Sequence, residues 1–198
     1  MAPQSDDDPR MPIGRGDRTA LLVIDMINSY DHPDGEPLRR SAETVVPVIA
    51  DLLERARAEG VQVVHVNDNH GMWGSRRDEL IAEARSGGHD ELLDPILPAE
   101  DAPFVFKARH SIFYGSPLEY FLETNGIGRL IMVGQVTEQC ILYSALDAYI
   151  RHFQVVVPRD AVAHIDPELA AASLRMMEAN MRAEVQDAAD VRLDTGGD

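Results

Sequence analysis

Apolar and polar positions follow two different periods along the chain, and together they predict an α/β protein. Short runs rich in Val, Ile and Leu indicate buried strands at residues 19–27, 61–67, 104–107, 129–134 and 154–162. Between these runs, apolar residues recur at helical spacing and predict helices at 41–60, 76–86, 116–127, 137–153 and 166–181. Because near-continuous apolar strands alternate with helices, we predict a three-layer α/β/α fold with a mainly parallel central sheet of about six strands.

Local signals set the expected limits of the elements and of the domain. Ser41 is a candidate N-cap for the first helix, and Gly60 is a candidate residue for its C-terminal end. Gly and Pro punctuate residues 87–103, which predicts a loop with a short helix, and residues 183–191 predict a last strand and short helix. With no repeat or linker in view, we predict a single domain at 18–193, after a disordered acidic tail at 1–17.

The charge balance and the cysteine count narrow the partners that we expect. The formal net charge of −16 disfavours binding to nucleic acid, which depends on Lys and Arg neutralising phosphates. No apolar run approaches the ~18–20 residues of a membrane-spanning helix, so we expect no membrane partner. One cysteine cannot form an internal disulfide, and without an export signal this predicts a cytoplasmic protein. The acidic surface could attract cationic ligands, although solubility explains it equally well.

Three chemically useful side chains follow three different predicted strands. Asp25 stands near the end of the first strand, Lys107 ends the strand at 104–107, and Cys140 opens the helix after 129–134. Lys107 is the only lysine among 18 basic residues, and Cys140 is the only cysteine. Because the carboxyl ends of parallel strands meet at one edge of a sheet, we expect these side chains to lie close together.

Each of the three also has a purely structural interpretation. A free cysteine is most often a small buried hydrophobe, Asp25 could cap a loop, and Lys107 could lie on the surface. The position of Cys140 at a helix start favours chemistry, because helical amides and a nearby ammonium group would lower the thiol pKa. Asp25 could then accept the thiol proton and pass it to a leaving amine.

Three blocks together resemble the isochorismatase-like cysteine hydrolases, which include nicotinamidases and carbamoylsarcosine amidohydrolases. The blocks are the apolar strand ending in Asp25, K-x-R-x-S-x-F at 107–113, and G-x-x-T-E-x-C at 134–140. The resemblance covers about residues 19–185 and implies a Rossmann-like fold. It also implies that Cys140 is the nucleophile, Asp25 the general base and acid, and Lys107 the charge that holds the thiolate.

The resemblance further implies details of the reaction. It places a non-proline cis peptide between Gln135 and Val136, and an oxyanion hole made by the N–H groups of Val136 and Cys140. The expected reaction cleaves a C–N bond of a small amide, lactam or carbamoyl substrate through a thioester. A homo-oligomer, either a dimer or a tetramer, is also implied.

Two other functions stay open. The chain could hydrolyse an ether as isochorismatase does, with Asp25 as the acid and no need for a thiol. It could also be a non-catalytic small-molecule binding protein that keeps the fold. The presence of all three residues, Asp25, Lys107 and Cys140, favours the amide hydrolase over both.

The loop after the second strand raises the question of a metal. Asp68 and His70 match the spacing of a D-x-H metal pair in nicotinamidases, whereas other family members have an N-D-N block here without using metal. His89 and His110 are further candidates without motif support. We therefore expect no required cofactor and leave a divalent metal open. Four residues are predicted to line the substrate pocket: Asn69, Trp73, Phe113 and Tyr114.

Overall fold

A computed structural model describes residues 16–74 and 76–195. The strands of the described part are β1 (Arg18–Ile24), β2 (Gln62–Asp68), β3 (Phe104–Lys107), β4 (Ile127–Gln135), β5 (Gln154–Pro158), β6 (Val162–Ala163) and β7 (Glu184–Gln186). Its α-helices are α1 (Gly35–Ala58), α2 (Arg77–Ser86), α3 (Asp90–Leu93), α4 (Leu118–Thr124), α5 (Leu142–Ile150) and α6 (Pro167–Met181). The predicted tail at 1–17 lies outside the described residues, apart from Gly16 and Asp17.

The strands form one parallel sheet in the order β3-β2-β1-β4-β5-β7, and the short β6 pairs with β4. The central strand β1 shows how the layers arise. Leu21 and Val23 face a core formed with α1, α2 and α3, whereas Leu22 and Ile24 face a second core formed with α4, α5 and α6. Since both sheet faces are buried under helices, the predicted three-layer fold is confirmed.

Two predicted boundaries are wrong, for reasons that local sequence does not contain. Helix α1 begins at Gly35, so Ser41 lies inside the helix, where its hydroxyl accepts a hydrogen bond from the His164 backbone N–H at 3.0 Å. Gly35 suits the helix start because a side chain there would collide with the Tyr30 carbonyl group. Strand β1 ends at Ile24 rather than at residue 27, because Asp25 takes a left-handed backbone conformation with φ of 56°.

The predicted helix at 137–153 is divided into two parts. A π-helical turn spans Thr137–Ile141, and α5 follows it. Such turns are rare and occur often at functional sites. Within the described residues, no helix is long and apolar enough to cross a membrane.

The burial of His65 on β2 should make the stability of the protein depend on pH. One ring nitrogen, Nε2, lies 3.0 Å from the Ile96 carbonyl oxygen and donates to it, while Nδ1 has no partner among the described residues. Burial lowers the pKa of His65 to about 4 from an ordinary 6.5. As pH falls below the ordinary pKa, the unfolded chain takes up a proton that the folded chain refuses, so folding loses stability.

We expect His65 to remove about 2 kcal/mol from the free energy of unfolding between about pH 7.5 and about pH 5. Urea titrations at several pH values would measure this against His65→Gln, which keeps a donor for Ile96 but cannot titrate. The exposed His32, changed to Gln, is the matched control. Equal pH slopes for the wild type and His65→Gln would contradict the expectation.

Candidate active site

The sheet register brings four strand ends together. Asp68, the last residue of β2, pairs directly with Lys107, the last residue of β3. On the other side, Ile24 of β1 pairs with Gly134 of β4, so that Asp25 and Gln135 follow at the same level. The structure therefore brings the three residues predicted from the strand ends to one edge of the sheet, because parallel strands align their carboxyl ends there.

Lys107 is the centre of this cluster. The residue is only 1% exposed, yet its Nζ atom lies 2.8 Å from Asp25 Oδ2, 3.3 Å from Asp68 Oδ2 and 3.8 Å from Cys140 Sγ. Burial alone lowers the pKa of Lys107, but the negative charge of Asp25 and its other neighbours outweighs burial and raises it above its ordinary value. The ammonium group thus stays charged, and each of its three hydrogens has an acceptor.

Asp25 is held in place by contacts on all sides. Its Oδ1 atom accepts a hydrogen bond from the Asp68 backbone N–H at 2.7 Å, and its Oδ2 atom faces Lys107. Its own backbone N–H donates to the Val66 carbonyl oxygen at 2.9 Å. Asp25 is 7% exposed, and its carboxylate has the hydrogen-bond donor and the opposite charge that a buried charge requires.

The side chain of Gln135 is a functional contact that sequence reasoning missed. Its Nε2 donates to the Asp25 carbonyl oxygen at 2.7 Å, and its Oε1 accepts a hydrogen bond from the Tyr30 hydroxyl at 3.3 Å. Burial raises the pKa of Tyr30 to about 12, so this hydroxyl stays a neutral donor. Gln135 therefore ties the backbone of Asp25 to the segment that leads to Cys140. A polar residue next to Gly134 in an otherwise apolar strand is the signal that could have revealed it.

Cys140 lies in the π-helical turn with 9% exposure. Burial raises the pKa of its thiol, and the negative charge of Asp25 raises it further, while Lys107 and the Val136 amide lower it. The prediction of a lowered pKa is therefore wrong for the resting protein. The main reason is burial, which penalises the charged thiolate, and the negative charge of the neighbouring Asp25 adds to it.

The peptide bond between Gln135 and Val136 is cis in this structure. The Val136 amide lies within hydrogen-bonding range of the Cys140 sulfur, and its carbonyl oxygen accepts from the N–H groups of Gln139 and Ile141 at 3.0 and 3.1 Å. These bonds fold the chain tightly from the end of β4 into the turn that carries Cys140.

His110 completes the surroundings of the sulfur. Its Nδ1 atom lies 3.8 Å from Cys140 Sγ, and its ring meets the edge of the Tyr143 ring with centroids 5.4 Å apart. Unlike the three buried residues, His110 is exposed. The sequence named this histidine only as an unsupported metal ligand, because nothing local shows that residue 110 reaches residue 140.

A cavity of about 180 Å³ opens beside Lys107. Asn69 and Trp73, both predicted to line the pocket, are among its lining residues, and Trp73 stands at the surface with 81% exposure. Phe113 does not line this cavity, and its buried ring stacks on Phe153 with centroids 5.7 Å apart. Tyr114 is exposed and also does not line it.

Asp68, the carboxylate of the candidate metal pair Asp68 and His70, makes other contacts. The Asp68 carboxylate accepts from the His70 backbone N–H at 2.8 Å with Oδ1, and contacts Lys107 with Oδ2. Within residues 16–74 and 76–195, no three His, Cys, Asp or Glu side chains are grouped so as to hold a metal ion. The donor set that the structure describes around Asp68 thus fits an ammonium group better than a divalent metal.

Comparisons with known proteins place the whole domain in one family. The isochorismatase domain model matches residues 19–190. An uncharacterized isochorismatase family protein of Bacillus subtilis strain 168, YaaI, is 31% identical over 166 residues, covering 84% of this chain and 92% of that protein. The N-carbamoylsarcosine amidase of an Arthrobacter species is 31% identical over 165 residues, covering 76% of this chain but 61% of the amidase.

A solved structure extends the likeness to three dimensions. N-carbamoylsarcosine amidase from Thermoplasma acidophilum superposes with a TM-score of 0.67 at 27% identity, covering 88% of this chain and 99% of the amidase. Together with the domain match over most of its length, this shows that the chain belongs to the isochorismatase family of hydrolases.

Proposed function

We propose that the protein is a cysteine hydrolase that cleaves a C–N bond in a small amide, lactam or carbamoyl compound through a thioester. One observation carries the proposal: a buried ammonium group, Lys107, contacts both a carboxylate, Asp25, and the only thiol of the chain, Cys140. Relatives named as N-carbamoylsarcosine amidases support C–N hydrolysis as the general chemistry.

The first step is attack by sulfur. Because the resting thiol is neutral, its proton must leave as the sulfur bonds to the substrate carbonyl carbon, and the neighbouring Asp25 carboxylate accepts it. Lys107 stabilises negative charge that develops on the sulfur during this transfer. The resting state therefore avoids a buried thiolate, while the transition state uses the ammonium group.

The carbonyl oxygen becomes negatively charged in the tetrahedral intermediate. The N–H groups of Val136 and Cys140 are the donors that we assign to it. The Val136 amide is supported by its position next to the sulfur, since the reacting carbonyl must lie there as well.

The reaction then proceeds in two halves. The C–N bond breaks, the nitrogen takes up a proton and departs as ammonia or an amine, and the acyl group stays on Cys140 as a thioester. Water adds to the thioester, the C–S bond breaks and the acid is released with the thiol restored. In the family pattern, Asp25 supplies and removes these protons.

The cavity beside Lys107 suits a small group of the substrate. Its volume of about 180 Å³ lies below the ~300–1,000 Å³ usual for drug-sized ligands. Asn69 supplies an amide at the wall, and Trp73 supplies a broad apolar face at the rim.

A panel of small primary amides, carbamoyl amines and lactams, assayed for release of ammonia or ring opening, tests this function. We expect at least one compound to turn over in the wild type but not in Cys140→Ala. Vinyl ethers in the same panel test the alternative, because an Asp25-driven ether hydrolysis would persist in Cys140→Ala. Turnover of ethers alone would overturn the proposal.

A further inference from the structure

His110 is an exposed side chain in contact with the sulfur that the mechanism above does not use. Its Nδ1 atom stands 3.8 Å from Cys140 Sγ, which is close enough to touch the reacting centre. The Tyr143 ring, carried by α5 directly after the nucleophile, packs against the imidazole in an edge-to-face arrangement with ring centroids 5.4 Å apart, which limits the orientation of His110. The backbone further limits where His110 can lie, because residue 110 stands only three positions after Lys107, the buried last residue of β3.

The buried groups are poorly placed to give a proton to a departing nitrogen. All three Nζ hydrogens of Lys107 face acceptors, namely Asp25, Asp68 and Cys140. The Asp25 carboxylate, in a residue that is 7% exposed, is fixed by the Asp68 N–H and by Lys107. His110, by contrast, is exposed, so its imidazole can exchange protons with solvent.

We propose that His110 is a second proton-transfer residue, which protonates the departing nitrogen and then accepts a proton from the water that hydrolyses the thioester. The inference rests on the proposed function and reassigns two proton transfers within it. The buried Asp25 keeps the exchange with the thiol, and the exposed His110 performs the exchange with the leaving group and water.

Every proton is accounted for in this scheme. When the S–C bond forms, the thiol proton moves to Asp25; when the C–N bond breaks, the imidazolium of His110 gives its proton to the nitrogen. Water then attacks the thioester and returns a proton to His110. The C–S bond breaks, the sulfur regains its proton from Asp25, and both groups end as they began.

The experiment compares two substrates with the same acyl group: the amide that the panel identifies, and its nitrophenyl ester. An amine needs protonation to leave, whereas a nitrophenolate does not. Single-turnover acylation is followed by nitrophenolate or amine release in the wild type and in His110→Asn. The matched control is His152→Asn, an exposed histidine beyond the far end of α5 whose left-handed backbone an asparagine tolerates.

We expect His110→Asn to slow amide acylation by about 10²-fold while ester acylation changes by less than about threefold. His152→Asn should leave both unchanged. Added imidazole should restore part of the lost amide rate, since the position is open to solvent. Equal losses with amide and ester, or no loss with either, would overturn the role of His110.

Failure of the proposed function has a different signature. If neither substrate leaves an acyl group on Cys140 in the wild-type protein, the thioester itself is refuted. If the acyl group forms but the amide and ester respond alike to His110→Asn, only the assignment of His110 is refuted.

Discussion

Cys140→Ala should abolish amide turnover, with a fall of about 10⁴-fold or more in kcat, while the protein stays folded. The expected loss is large because no other described side chain can form the covalent intermediate at that position. When catalytic residues act as a unit, removing the nucleophile alone typically eliminates most of the rate enhancement that the unit provides. The fold should survive because the change deletes one sulfur atom from a residue that is 9% exposed. We expect this to lower the free energy of unfolding by about 1 kcal/mol.

The comparison with Cys140→Ser makes this result informative. A serine keeps a small nucleophilic atom but not the acidity or polarisability of sulfur, so we expect it to be nearly as inactive. Circular dichroism and urea unfolding would confirm that both variants fold. Substantial turnover by Cys140→Ala would exclude a thioester and favour the ether-hydrolase reading.

Lys107→Met should damage both stability and chemistry. The change leaves Asp25 and Asp68 facing each other without the ammonium group between them, and breaking such a buried pair costs about 3–5 kcal/mol. It also removes a charge that lowers the pKa of Cys140, so that pKa should rise further above its ordinary value. Since Cys140 is the only thiol, intact mass after alkylation at a series of pH values reports it directly.

A double variant separates charge from packing. If the two carboxylates cause the loss, Lys107→Met combined with Asp68→Asn should be more stable than Lys107→Met alone, because one negative charge is gone. Asp68→Asn by itself keeps the Lys107–Asp25 pair and should cost less than Lys107→Met. If the double variant is no more stable than Lys107→Met, the apolar stem of Lys107, rather than its charge, stabilises the site.

The sequence could predict which residues meet, because the rule behind the prediction is general. Asp25, Lys107 and Cys140 each follow a strand, and parallel strands align their carboxyl ends whatever their register in detail. The three-layer fold was also predictable from the sequence, because continuous apolar strands between helices admit few other arrangements.

The protonation state of the thiol depends on features that only the folded structure reveals. Burial of Cys140 raises the pKa of its thiol, and the negative charge of the neighbouring Asp25 raises it further. Sequence reasoning counted one ammonium near one thiol and predicted a lowered pKa. With a raised thiol pKa, the proposed mechanism needs a base for the thiol proton, and this is the role that we assign to Asp25.

Long-range contacts account for the other differences. His110 reaches Cys140 across 30 positions of the chain, Gln135 reaches Tyr30 across 105, and Ser41 pairs with His164 across 123. No local pattern encodes such pairs. Phe113 shows the opposite case, in which an aromatic residue inside a recognisable motif serves the core by stacking on Phe153.

The most direct test of the thioester is the intact mass of the protein quenched in acid during turnover of the amide that the panel identifies. Catalysis through a thioester predicts a protein species that is heavier by the acyl group. The added mass should lie on the peptide that contains Cys140 and should be absent from Cys140→Ala. It should accumulate before the acid product and disappear as the substrate is exhausted. Turnover at full rate with no mass increase on that peptide, at any quenching time, would contradict covalent catalysis by Cys140.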